Sequence, residues 1–306
     1  MTLYRQFTDQ ESLDQAYNPS LGEPRGLAAL ARWPSRSAAL RKSGRWRRVA
    51  YGPTCAERMN LHFPWEANGP REANGPREAN GPREAEGGAP VHLFIHGGYW
   101  RSLCADDHDF VAAAFVDAGH IVGILDYALC PSVTIDEIVR QVRAAIAWTW
   151  HHIGEEGGDP ARITVSGHSA GGHLVGMAAV TDWSGQYDLP ADTLKAGVAI
   201  SGLFDLAPFP YTYLQPKLQL GWDQVRRNSP ILHARHAPTR LWMVAGGAES
   251  GEFHRQSTSF HDVWRQAGNA GRCEIADGHD HFTILDAFAD PRDRFHHRVL
   301  EFLACG

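Results

Sequence analysis

Residues 167–171 read Gly-His-Ser-Ala-Gly and join an apolar run, Ile163 to Val165, to a helix-like run, Gly172 to Val180. A serine with a glycine two residues away on each side, between a strand and a helix, is typical of a nucleophile elbow. The turn is so sharp that the flanking positions must be small, and it lifts the serine hydroxyl out of the sheet. The pattern therefore predicts Ser169 as a nucleophile that faces the N-terminus of the following helix.

A second motif precedes the elbow at the expected place. Residues 96–100 read His-Gly-Gly-Tyr-Trp and follow the strand-like run Val91 to Ile95. A His-Gly-Gly loop after a strand resembles the oxyanion loop of lipases and esterases with the α/β-hydrolase fold. With His96 and Gly97 as the start of the motif, we predict that an oxyanion hole is formed by the backbone N–H groups of three residues: Gly98, Tyr99 and Ala170.

A serine nucleophile needs a base, and the base needs an acid that orients it. In this fold the chain order is serine, acid, histidine. The acid should follow the strand-like run at 241–244, and we assign Glu249, with Glu252 as the alternative. The histidine should follow the next strand, at 272–275, and we assign His281, with His279 as the alternative.

The triplet His279-Asp280-His281 is also compatible with a fragment of a metal site. A zinc site needs three or four convergent ligands, and the sequence offers no evident matching set. We therefore predict no metal and no other cofactor.

Short apolar strands alternate with helices along most of the chain, which predicts a doubly wound, mostly parallel sheet. Thr134 with Glu137 three residues on has the pattern of a capping box and predicts a helix from Ile135 to about Trp150. Two early strands around Gly52-Pro53 predict an antiparallel N-terminal edge. The further predicted strands are 121–125, 163–166, 197–200, 241–244 and 272–275.

The predicted organisation is one domain over residues 1–306 with two excursions. Residues 66–83 repeat Glu-Ala-Asn-Gly-Pro-Arg three times, and we expect an exposed loop insertion at 66–86, because Asn-Gly-Pro forms turns and the repeat has no large apolar side chain. Residues 203–233 are rich in proline and aromatic residues and predict a short lid over the site.

Composition narrows the class of protein. The chain has 306 residues, 43% of them hydrophobic, which is ample for a buried core. Its formal net charge of −6 gives no reason to expect nucleic acid as a partner. No signal-like or membrane-spanning run is visible, and five scattered cysteines fit reduced thiols. We therefore expect a cytoplasmic protein that binds no membrane, acts on a small molecule and is compatible with a homodimer.

The motifs together resemble the serine-dependent kynurenine formamidases, or arylformamidases, a branch of the α/β-hydrolases close to the hormone-sensitive-lipase group. What separates the chain from a generic esterase is Tyr99-Trp100 combined with two further segments, Tyr127-Ala128-Leu129-Cys130-Pro131 and Glu252-Phe253-His254-Arg255-Gln256. Other matching segments are Tyr17-Asn18, Ser201 to Leu206, Asn228-Ser229-Pro230 and Asp280-His281-Phe282. The resemblance covers nearly the whole chain except the hexapeptide repeat.

This resemblance implies cleavage of N-formyl-L-kynurenine to L-kynurenine and formate, in tryptophan catabolism, through a formyl-enzyme intermediate on Ser169. The family usually has Asp at the position of Glu249. We predict that Tyr99 and Trp100 bind the substrate by narrowing the acyl pocket, against the alternative that they only pack beneath the lid. Two other functions stay open: a carboxylesterase for small aryl esters, and a hydrolase fold without activity that serves as a binding module.

Overall fold

The computed structural model describes residues 2–21, 24–64 and 88–304. Eight strands in these ranges form one sheet with the order β1-β2-β4-β3-β5-β6-β7-β8. Strands β1 and β2 pair with each other, and β2 pairs with β4, antiparallel, whereas β3 to β8 pair in parallel. The strands are β1 Trp46–Ala50, β2 Arg58–His62, β3 Ala89–Ile95, β4 Ile121–Leu125, β5 Gly158–His168, β6 Ala196–Ile200, β7 Arg240–Gly246 and β8 Gly271–Ala276. The predicted fold class, with its antiparallel N-terminal edge, is confirmed.

Helices cover both faces of this sheet. They are α1 Gln10–Ala16, α2 Pro24–Ser43, α3 Ala112–Asp117, α4 Ile135–His152, α5 Ala170–Ala179, α6 Trp183–Tyr187, α7 Gln215–Leu218, α8 Trp222–Arg227, α9 Gly251–Gln266, α10 Thr283–Phe288 and α11 Arg294–Ala304. Alternate residues of each strand point to opposite faces. On β7, Leu241 and Met243 join one apolar cluster, while Trp242 and Val244 join the other. The sheet is therefore buried on both faces, which explains its continuous apolar strands.

The predicted cap of α4 is half right. Thr134 lies at the N-cap, and its hydroxyl accepts the backbone N–H of Glu137 at 3.4 Å. The Glu137 carboxylate does not return to the backbone of Thr134 but accepts hydrogen bonds from Arg140 and Gln141. A nearby guanidinium offers the carboxylate a stronger, charge-assisted partner, so the reciprocal bond of a capping box does not form.

The N-terminal segment was not assigned to any element from the sequence. It forms α1 and the long helix α2, whose Ala29 and Trp33 are buried in the second apolar cluster. The repeat-loop prediction at 66–86 lies outside the described residues. The predicted lid, 203–233, contains the short helices α7 and α8, and its role stays a prediction. Among the described residues, no helix is both long enough and apolar enough to cross a membrane.

Candidate active site

Ser169 lies at a sharp turn between β5 and α5, and its backbone has φ 57° and ψ −117°. Its N–H donates to the carbonyl of Ile200 on the neighbouring strand at 2.8 Å, which fixes the turn to the sheet. A Cβ on Gly171 would lie 1.9 Å from the carbonyl oxygen of Ile95, and one on Gly167 would lie 2.3 Å from the carbonyl oxygen of Gly171. Both glycines are therefore required by contact with backbone, and the strained φ of a serine marks a functional turn.

A carboxylate orients the histidine proposed as the base. Nδ1 of His281 lies 2.7 Å from Oε2 of Glu249. The other carboxylate oxygen, Oε1, accepts the hydroxyl of Ser201 at 2.5 Å and the backbone N–H of Gly246 at 2.6 Å. The side chains of Glu249 and His281 are only 1% and 5% exposed. Three donors thus hold both oxygens of a buried carboxylate in one orientation.

The two alternative residues lie elsewhere. Glu252 accepts a hydrogen bond from the phenol of Tyr17 at 2.7 Å and pairs with Arg255 at 2.8 Å. Its carboxylate therefore binds a residue of α9 and one of the N-terminal segment. His279 contributes its backbone carbonyl to the N–H of Ala248 at 3.0 Å. The pair that the structure assembles is Glu249 with His281.

Ser169 and His281 line one cavity of 180 Å³. Within the described part of the chain, no hydrogen bond joins the Ser169 hydroxyl to His281, a bond that in enzymes often tightens only when substrate binds. His168 holds the loop of His281, because its Nε2 lies 2.7 Å from the backbone carbonyl of His281. Burial lowers the pKa of His168 well below its usual value, so the neutral ring donates this bond.

The oxyanion segment forms a tight turn in which the carbonyl of Gly98 accepts the N–H of Arg101 at 3.0 Å. The two central residues, Tyr99 and Trp100, have φ of 51° and 57°, as in a type I′ turn. This backbone conformation is strained for residues other than glycine or asparagine. Among the described residues, none accepts a hydrogen bond from the backbone N–H groups of Gly98, Tyr99 and Ala170. These donors are therefore free to bind a developing negative charge.

Close contact places this turn beside the nucleophile. A Cβ on Gly97 would lie 3.1 Å from Cβ of Ser169 and 2.9 Å from the carbonyl of His168. The ring of His96 stacks on Tyr127 at 4.1 Å, and the phenol of Tyr127 donates to the carbonyl of His96 at 2.8 Å. The strained turn is thus held from behind by an aromatic stack and a buried hydrogen bond.

The two aromatic residues of the motif are placed differently. Tyr99 lines the cavity, and its phenol donates to the backbone carbonyl of Tyr17. Trp100 is fully buried and does not line this cavity; its indole N–H donates to Nδ1 of His173 at 3.1 Å. His173 in turn bonds the carbonyl of Asn228 at 2.7 Å. The cavity lining therefore gives no support to the predicted contact of Trp100 with substrate. The burial of Trp100 agrees with the alternative, that this residue only packs beneath the predicted lid.

Several residues of the site escaped the sequence analysis. Ser201 on Glu249 was only part of a matching segment, and its positive φ of 51° is visible only in the fold. The N-terminal segment supplies four of the fourteen residues that line the cavity: Pro19, Ser20, Leu30 and Trp33. The others are Gly98, Tyr99, Arg101, Ser102, Leu103, His168, Ser169, Tyr213, His281 and Phe282. The described residues contain no group of three or more histidine, cysteine, aspartate or glutamate side chains that could hold a metal ion.

Comparisons with known proteins identify hydrolases that this chain is similar to. The BD-FAE family model matches residues 80–217. The kynurenine formamidase of Danio rerio is 31% identical over 206 residues, which cover 66% of this chain and 68% of that protein. The carboxylesterase NlhH of Mycobacterium tuberculosis is 41% identical over 91 residues, 29% of this chain and 28% of that protein.

A solved structure shows the same fold over nearly the whole chain. It is that of a thermophilic carboxylesterase cloned from a metagenomic library, and it superposes with a TM-score of 0.68 and 19% identity. The match covers 95% of this chain and 96% of that one. At this identity the likeness concerns the fold alone.

Proposed function

Because the chain belongs to the kynurenine formamidase family of α/β-hydrolases, we propose that it cleaves the formamide of N-formyl-L-kynurenine to L-kynurenine and formate, in tryptophan catabolism. The observation that carries the proposal is the Glu249–His281 pair at 2.7 Å, in which His281 lines the same cavity as Ser169. This arrangement supports a serine nucleophile with its base and acid, and the family relationship supports a formamide as the bond that it attacks.

In the first half of the reaction, Ser169 forms a bond to the formyl carbon while His281 takes the hydroxyl proton at Nε2. Glu249 keeps the proton of the ring on Nδ1 and stabilises the imidazolium that forms. The carbonyl oxygen becomes an oxyanion and is bound by the N–H groups of Gly98, Tyr99 and Ala170. One such donor is typically worth about 10²–10³-fold in kcat.

The tetrahedral intermediate collapses when its C–N bond breaks. His281 gives its proton to the leaving arylamine, so L-kynurenine departs and a formyl ester stays on Ser169. Water then attacks this ester, with His281 as general base, and formate is released with the serine hydroxyl restored. The cycle consumes one water and needs no redox partner.

Steady-state hydrolysis of N-formyl-L-kynurenine beside p-nitrophenyl acetate tests the proposal, with Ser169→Ala as the control. We expect kcat/KM for the formamide to be at least about 100-fold higher, equivalent to about 2.7 kcal/mol. Both activities should be lost in Ser169→Ala. A comparable or reversed ratio, still abolished by the substitution, would overturn the formamide assignment and leave an esterase.

A carboxylesterase for small aryl esters is the second candidate. It is favoured by the 41% identity to NlhH, which exceeds the identity to the Danio rerio protein but extends over only 91 residues. The same triad and oxyanion turn would serve an ester. The formamidase assignment rests on the longer match, over 206 residues.

We further propose that residues 203–233 form a lid. Tyr213 of this segment lines the cavity, and the ring centre of Phe209 lies 6.1 and 5.7 Å from the ring centres of Tyr99 and Trp100.

The free thiols of the described cysteines support a reducing, cytoplasmic location. A homodimer is the oligomeric state to test, by light scattering of the purified protein.

A further inference from the structure

Arg101 is a cation of the active-site cavity that none of the catalytic steps uses. It lines the cavity with Ser169, Tyr99 and Tyr213. Its guanidinium lies 5.8 Å from the centre of the Tyr213 ring. Within residues 2–21, 24–64 and 88–304, no carboxylate lies within ion-pairing distance of it, and no aspartate or glutamate lines this cavity. Among its lining residues the cavity therefore has one permanently charged cation, Arg101, and no carboxylate.

Two other arginines of the fold are paired with carboxylates. Arg255 pairs with Glu252 and Asp205, and Arg140 pairs with Glu57 and Glu137. A guanidinium offers a planar fork of donors that fits a carboxylate with two parallel hydrogen bonds. A concave site lined by charge of one sign attracts a ligand of the opposite sign.

The backbone fixes Arg101 relative to the oxyanion donors. The carbonyl of Gly98 accepts the N–H groups of both Arg101 and Ser102, at 3.0 and 3.1 Å, so the turn is closed twice. Arg101 therefore follows Tyr99 by two residues, on a turn in which Gly98 has a φ of 103°. The backbone of Arg101 and the oxyanion donors Gly98 and Tyr99 belong to one hydrogen-bonded turn.

We propose that Arg101 binds a carboxylate on the leaving group of the substrate. The formyl group has no heavy atom beyond its carbonyl, so a carboxylate on the substrate must belong to the arylamine. The inference rests on the proposed function and deepens it: the enzyme selects aryl formamides whose amine carries a carboxylate, such as the amino-acid head of formylkynurenine, over neutral aryl formamides.

The test compares two formamides in the whole protein: N-formyl-L-kynurenine and N-(2-acetylphenyl)formamide, which lacks the amino-acid head. The measured quantity is the ratio of their kcat/KM values. In Arg101→Gln this ratio should fall by about 10- to 100-fold, through KM of the anionic substrate. Arg101→Lys, which keeps the charge but not the fork, should lose less.

Arg143→Gln is the matched control: among the described residues Arg143 also has no carboxylate within ion-pairing distance, but it lines a different cavity and donates to the hydroxyl of Thr181 at 2.9 Å. Its ratio should equal that of the wild type. If Arg101→Gln lowers kcat/KM equally for both substrates, or for neither, Arg101 does not bind the carboxylate of the substrate.

A failure of the proposed function gives a different result. If the wild type prefers esters, the same comparison is made with 4-acetoxybenzoate and phenyl acetate. A selective loss for 4-acetoxybenzoate in Arg101→Gln would keep the anchor while the formamidase assignment falls. An unchanged ratio would overturn the anchor as well.

Discussion

Replacing Glu249 by glutamine tests how the site fixes the proton on His281. Two donors, the hydroxyl of Ser201 and the N–H of Gly246, face Oε1 of Glu249 at 2.5 and 2.6 Å. The backbone N–H can only donate, so in Glu249→Gln the amide oxygen must stay on that side. The amide NH₂ then faces Nδ1 of His281, and this nitrogen must act as an acceptor.

A ring that accepts at Nδ1 carries its proton on Nε2, the nitrogen that has to receive the proton of Ser169. The wrong tautomer costs about 10⁴-fold in kcat in a serine protease triad, which corresponds to about 5.4 kcal/mol of activation free energy. We expect a loss of this size in kcat for N-formyl-L-kynurenine, with little change in KM. Steady-state kinetics with a thermal melt of each variant measures it.

Glu252→Gln is the matched control, since this buried carboxylate lies three residues on and pairs with Arg255 and Tyr17 instead of His281. It should lower the melting temperature, because the partly buried Arg255 loses the nearer of its two carboxylate partners and keeps only Asp205, but kcat should stay within a few-fold. The tautomer argument is wrong if Glu249→Gln, folded as judged by its melt, loses less than about tenfold in kcat.

Three other predictions concern the scaffold of the site. Gly171→Ala should cost about 3 kcal/mol of stability or more, because the new Cβ would lie 1.9 Å from the carbonyl oxygen of Ile95; an unchanged urea midpoint would contradict it. Ser201→Ala removes one donor from Glu249 and should lower kcat about tenfold at constant KM. A lower melting temperature with an unchanged kcat would contradict this prediction. Burial lowers the pKa of His173 from 6.5 to about 4, so as the pH falls the histidine is protonated in the unfolded chain before it is protonated in the folded one. The free energy of unfolding is therefore unaffected by this group above pH 6.5 and declines by up to about 3 kcal/mol as the pH falls to 4. His173→Gln should show a smaller decline over that window in pH-dependent melts.

The sequence predicted those parts of the site that depend on short-range patterns. The elbow around Ser169 and the His-Gly-Gly turn are local, since glycine spacing and flanking strands determine them. The positions of the strands along the chain followed from short apolar runs, and β4 was predicted with the observed bounds, Ile121–Leu125. The choice of Glu249 over Glu252 depended on its nearness to the end of β7.

Long-range contacts could not be predicted in this way. Ser201 reaches Glu249 across 48 residues, and Tyr17 reaches Glu252 across 235. The sequence signal of α2 is weak, because its buried positions, three or four residues apart, include Gly26 and Ser37 besides Ala29 and Trp33, while Leu27 is exposed. Its contribution to the cavity wall is a property of the assembled fold.

Labelling with a fluorophosphonate followed by peptide mass mapping tests most directly whether Ser169 is the nucleophile. The reagent reacts only with a serine that is activated by its base. We expect one adduct, on the peptide that contains Ser169, and no adduct in Ser169→Ala or His281→Ala. An adduct on another serine, or none on the folded wild-type protein, would contradict the proposed catalytic mechanism.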